Sequence, residues 1–133
     1  MLSVRRGRAG ILPLLVVGCD LPFPPGACTS ILVPAIIVEM RDARTGAPLA
    51  GLAVGTVRDG AYIDSLRPHS YLDASELTGT MLSRQAAHER SGRYTVEVER
   101  PGYQRWTRSD VRVRDADCHV QTQTLRAQLQ AIP

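Results

Sequence analysis

From residue 31 onward the chain predicts an all-β protein, an antiparallel β-sandwich, on three observations. Several short runs alternate apolar and polar residues with the period of a half-buried strand. Glycine, proline and Asp-Gly turn signals separate those runs at about the 8–12-residue spacing of sandwich strands. Only residues 72–77 offer a helical start, a single turn with Asp73 or Ser75 as its cap.

The elements follow in order. Ile31, Leu32 and Val33 open as a first β-branched run, which Pro34 confines to an edge or breaks. Residues 36–40 come next, with Ile36, Val38 and Met40 on one face and Ile37, Glu39 and then Arg41 on the other. The turn Asp42-Ala43-Arg44-Thr45-Gly46 carries a glycine where a positive φ is wanted. Residues 52–57 read as the second strand, closed by Asp59-Gly60, and residues 62–66 as the third. Residues 80–85 read as a weaker strand entering a hairpin whose tip is Arg90-Ser91-Gly92. The clearest alternation sets Tyr94, Val96 and Val98 against Thr95, Glu97 and Glu99. Pro101-Gly102 then makes a tight turn into strands at 103–107 and 111–114. Residues 120–129 close the pattern, with Val120, Thr122 and Thr124 against Gln121, Gln123 and Leu125.

The segment before the strands has a different character. Arg5, Arg6 and Arg8 lead into an apolar run at residues 11–17, and Gly18 precedes Cys19. A positive front, a short apolar core and small residues at the cut describe a secretory signal, and the run falls well short of the ~18–20 apolar residues of a membrane span. Val16-Val17-Gly18-Cys19 resembles the lipobox of bacterial lipoproteins, in which the cysteine thiol is diacylated and becomes the first mature residue. That resemblance implies a signal peptide at 1–18, export across the inner membrane and attachment to a membrane through lipid on Cys19. The residues alone also fit an ordinary signal peptide with an incidental cysteine. Residues 19–29 form a tether in which Pro22, Pro24 and Pro25 oppose helix and ladder pairing, leaving an extended spacer. Asp20, directly after the cysteine, resembles the signal that keeps enterobacterial lipoproteins in the inner membrane.

Charge excludes one class of partner. Of the 16 basic residues, all arginine, three precede Cys19, whereas all 13 acidic residues follow it, so the remainder carries 13 of each. The alkaline pI belongs to the signal segment, and no clustered positive charge is left to bind nucleic acid. The absence of lysine fits a GC-rich genome better than a function. About 115 residues remain, enough for one small core, placed as a single domain at 30–130. If Cys19 takes lipid, Cys28 and Cys118 form an even pair, and an oxidising compartment favours their disulfide. The alternative pairs Cys19 with Cys28 and leaves Cys118 free.

A second resemblance covers most of this domain. The run from Val38 through Asp42, Thr45-Gly46, Pro48-Leu49 and Gly51 to Val54 is similar to the opening of carboxypeptidase-regulatory-like domains. Gly92-Arg93-Tyr94, followed by Pro101-Gly102-Tyr103, resembles their second hallmark. The resemblance implies a seven-stranded antiparallel Greek-key-type β-sandwich of the prealbumin (transthyretin-like) kind, used as an accessory or adhesive module. In such a sandwich Tyr94 and Tyr103 send their rings between the sheets. The stretch 66–85 is longer than the family's usual middle.

Chemistry-bearing residues are sparse. His69, His88 and His119 sit on separate elements without the spacing of a metal pair, and Ser70, Ser75 and Ser91 lack Gly-x-Ser-x-Gly surroundings. The Tyr-Arg-Gly-Ser motif of the transthyretin-related hydroxyisourate hydrolases is missing from Leu129-Gln130-Ala131-Ile132-Pro133. The three carboxylates of 110–117 lack the alternating oxygens and central glycine of a calcium loop, and Arg112 and Arg114 neutralise them. Neither a metal site nor a cofactor is expected. One aromatic spot remains, where Trp106 is flanked by Arg105 and Arg108. An exposed Trp106 would stack on a sugar or hold an acidic group with those arginines; the competing reading makes it a core residue. The expectation is a non-enzymatic, lipid-anchored protein on the periplasmic side of the cell envelope, at the inner or outer membrane, that binds an envelope protein or glycan. The competing class is a small envelope hydrolase whose loops bring His69 and His88 together with an acid.

Overall fold

The computed structural model describes residues 27–69 and 79–133. The stretch read as a signal peptide at 1–18, Cys19, most of the stretch read as a tether at 19–29 and the helical turn read at 72–77 lie outside the described residues. Within them lie seven strands in two sheets and no α-helix: β1 (Ile36–Asp42), β2 (Val54–Asp59), β3 (Tyr62–Ser65), β4 (Ser83–Ala86), β5 (Gly92–Glu99), β6 (Trp106–Val113) and β7 (Gln123–Leu129). One sheet has the order β4-β1-β7 and the other β3-β2-β5-β6. The all-β sandwich expected from the alternation is present.

The core is where period two put it. Ile36, Val38 and Met40 of β1 meet Val57 of β2 and Tyr94, Val96 and Val98 of β5 across the gap between sheets, all with no exposed surface. Two short links join the sheet margins. Arg67, just past β3, exchanges backbone hydrogen bonds with Gln85 of β4, and Gln104 and Ile132 pair with Gln130 and Gly102 beside β6 and β7.

Several expectations are corrected. β7 pairs with β1 in parallel, Ile36 beside Gln123 through Asp42 beside Leu129, so the smaller sheet is mixed rather than antiparallel. Residues 31–33 form no strand, because Pro34 has no N–H to continue a ladder; Val33 instead exchanges its backbone groups with Glu89. The strand read at 52–57 begins at Val54, since Leu52 belongs to a 3-10 turn at Ala50–Leu52. β4 and β5 are not a hairpin: β4 pairs with β1 and β5 with β2, and the chain crosses between sheets through Ala87 and Glu89, both at positive φ. The strands read at 103–107 and 111–114 are one strand, β6. A bulge opposite Thr95 absorbs the extra residue, with Asp110 at φ 59°. The closing strand is also shorter than 120–129: β7 starts at Gln123, and Val120 pairs alone with Asp115.

The two quoted motifs turn out to be joined. The Asp42 carboxylate accepts the Arg44 and Thr45 amides at 2.8 Å each, closing its turn, and accepts the Tyr103 hydroxyl at 2.8 Å. Tyr103 is therefore half-buried at the sandwich margin rather than sunk between the sheets as expected. The Thr45 amide, then the Tyr103 hydroxyl and the Arg44 amide, lower the Asp42 pKa from 3.8 to about 2. A depressed carboxyl stabilises the fold above its unfolded pKa and loses that contribution as pH falls from about 4 towards 2. Acid unfolding of the native chain is accordingly steeper over that window than that of Asp42→Asn, measured by tryptophan fluorescence.

Gly92 and Tyr94 have a similar logic at the other end. A Cβ on Gly92 would lie 2.4 Å from an Asp59 carboxylate oxygen and 3.1 Å from the Arg90 guanidinium. The missing side chain leaves room for the Arg90–Asp59 pair at 2.9 Å. Arg90 also lies over the Tyr62 ring, 4.0 Å from its centroid, and donates to the Tyr94 hydroxyl at 3.0 Å. That hydroxyl in turn donates to the Arg90 carbonyl at 2.8 Å.

Candidate functional site

Functional features gather at the two poles of the sandwich. The first is the pole where the tether enters, at the starts of β1, β5 and β7. Cys28 and Cys118 are bonded there, with Cα atoms 5.2 Å apart. Each half-cystine is followed by a polar residue, and the bond brings those residues together. Thr29 Oγ1 lies 2.9 Å from His119 Nε2, and His119 Nδ1 lies 2.7 Å from Glu89 Oε1. The Val33 amide donates to the same Glu89 oxygen at 2.7 Å. Val33 first, and His119 after it, hold the Glu89 carboxyl below the usual carboxylate range. An ionised Glu89 can only accept from Nδ1–H, and in the neutral imidazole that leaves Nε2 to accept the Thr29 hydroxyl. This hydroxyl–imidazole–carboxylate line borders a cleft of about 500 Å³ that Ile31 and Leu32 also line. Sequence reading missed it, since its members are 90 and 30 positions apart; adjacency to the half-cystines was the one usable signal.

His69 and His88 do come together, but on an amide. Gln85 Oε1 lies 3.1 Å from His69 Nδ1, and Gln85 Nε2 lies 3.3 Å from His88 Nε2. Among the described contacts no acid joins them. The 110–117 carboxylates are spoken for in part: Asp110 pairs with Arg93 at 2.9 Å and Asp115 accepts the Ser91 hydroxyl at 2.9 Å. Among the described residues no group of three or more His, Cys, Asp or Glu is placed to hold a metal ion.

The predicted aromatic spot is split apart. Trp106 stands opposite Val98 on β5, on the core face, and packs half-buried against the core. Tyr103 packs there too, from the turn that precedes β6. Arg105 is ion-paired with Glu99, and Arg108 is exposed.

The second pole, at the ends of β1, β5 and β7, carries an open trough of about 530 Å³. Its floor includes Leu52, Val54, Pro101, Tyr103 and Ile132. Leu52, Val54 and Ile132 are 67%, 64% and 57% exposed, which gathers three of the six large exposed apolar side chains among the described residues in one place. Arg100 borders it, its Nε donating to the Leu49 carbonyl at 3.0 Å and its guanidinium carbon 5.1 Å from the Tyr103 ring centroid. No protein-family model matches the chain, and no curated protein matches it in sequence.

Proposed function

We propose that this protein is a non-catalytic, lipid-anchored binding module of a bacterial cell envelope, held to a membrane through diacylated Cys19 and recognising an envelope protein or glycan. The single observation that carries the reading is the Cys28–Cys118 disulfide. It suits an oxidising, extracytoplasmic compartment and uses two of the three cysteines, leaving Cys19 with its lipobox-like surroundings. The Asp42–Tyr103 bond and the room Gly92 leaves for the Arg90–Asp59 pair give physical roles to the motifs that resemble carboxypeptidase-regulatory-like domains, and so favour a Greek-key, prealbumin-like arrangement. Two acyl chains suffice for stable attachment, since each buried CH₂ contributes about 0.8 kcal/mol and one chain alone is marginal. Cys19→Ser is expected to move the protein from the membrane pellet to the soluble fraction or to leave it as an uncleaved precursor. Unchanged, fully processed membrane protein would contradict the anchor.

A second reading, a small envelope hydrolase, is favoured by the Thr29–His119–Glu89 line, whose members have the mutual reach of nucleophile, base and orienting acid. A fluorophosphonate probe decides between the two. Binding-only protein stays unlabelled, whereas a hydrolase gains a mass adduct at Thr29 that His119→Gln abolishes.

A further inference from the structure

The trough at the pole away from the tether has the composition of a recognition site, and we propose that it receives a polypeptide segment of a partner protein in which a carboxylate sits beside aliphatic side chains. The inference rests on the envelope-binding reading and says where on the domain binding takes place and what is bound.

Three features point to that occupant. First, the floor is apolar but uncovered: Leu52 and Val54, two residues apart at the entry to β2, meet Ile132 from the far end of the sequence. Apolar surface gathered in a concavity is the usual core of a protein-binding site. Second, the charge beside it is unbalanced. Arg105 has its carboxylate in Glu99, whereas Arg100, half-buried, has none among the described residues. Its Nε is fixed on the Leu49 carbonyl and its guanidinium carbon lies 5.1 Å from the Tyr103 ring centroid, so the group is pre-oriented, and among the described residues its other N–H groups have no partner. An ordered guanidinium beside an apolar floor matches a carboxylate flanked by aliphatic groups. Third, the trough opens at the pole opposite the one where Cys28 enters the fold: β1 runs between the two over seven residues, about 20 Å at ~3.3 Å per residue.

The test uses the full chain in lipid nanodiscs, isotope-labelled and titrated with the peptide acetyl-Gly-Leu-Glu-Val-Leu-Gly-amide, its Gln counterpart, and dodecanoate. Expected are amide shifts confined to the neighbourhood of Leu52, Val54, Arg100 and Ile132, with the Gln peptide binding about tenfold more weakly. Arg100→Gln should erase the preference for Glu over Gln. Ile132→Asp, at an exposed position that leaves the core intact, should weaken both peptides. No localised shifts, equal binding of the two peptides, or binding of dodecanoate alone would overturn the proposal. Failure of the anchor is a separate result: it shows as protein that does not co-purify with the nanodiscs, whatever the peptides do.

Discussion

Replacing Cys28 and Cys118 together by serine is expected to lower the unfolding free energy by about 4–5 kcal/mol, the loop-closure entropy of a bridge spanning 90 residues. That is a large share of the roughly 5–15 kcal/mol available to a small domain. The bond acts on the unfolded chain by joining points near the two ends of the folded unit. It also has a local effect, because Thr29 and His119 are carried by the residues next to the two sulfurs. Loss of the bond frees the segment leading to β1, and with it the Val33–Glu89 contacts. Urea unfolding followed by tryptophan fluorescence measures the change, and reductant should reproduce it in the native chain. A double variant as stable as the parent would mean that the sandwich needs no clasp.

Tyr94→Ala is expected to be nearly as damaging, by about 3–5 kcal/mol, the range for deleting a large buried ring. Tyr94 heads the fully buried side chains by size, and its ring meets Tyr62 edge-on with centroids 6.3 Å apart. The ring fills the gap between sheets, while the hydroxyl binds both the guanidinium and the carbonyl of Arg90. Tyr94→Phe separates these roles. It keeps the packing and removes one hydroxyl, with an expected loss of about 1–2 kcal/mol. Thermal unfolding by circular dichroism distinguishes them, and equal losses would mean that the hydroxyl, not the ring, dominates.

How far these features are legible before folding depends on their sequence range. Ile36, Val38 and Met40, and Tyr94, Val96 and Val98, announce their strands because alternation is local and survives any topology. The pairing of β1 with β7 is not announced, since nothing in either strand says whether its neighbour runs parallel. The bulge at Asp110 hides the unity of β6, because one extra residue inverts the pattern and reads as a break. Of the two readings of Trp106, the structure takes the core one, its ring packing half-buried opposite Val98. The trough and the Thr29–His119–Glu89 line are assembled from residues that share no local pattern. Only Arg105, among the trough's charges, stood out in the sequence, and it proved to be neutralised by Glu99. The motif residues Asp42 and Tyr103 were visible singly, but the hydrogen bond that couples them was not.

The tethered, clasped sandwich is tested most directly by the intact mass of protein extracted from membranes without reductant. The account predicts a chain beginning at Cys19, heavier by its acyl groups and lighter by the two hydrogens lost when Cys28 and Cys118 join. A mature product with an unmodified Cys19, or with free thiols at 28 and 118, would contradict it.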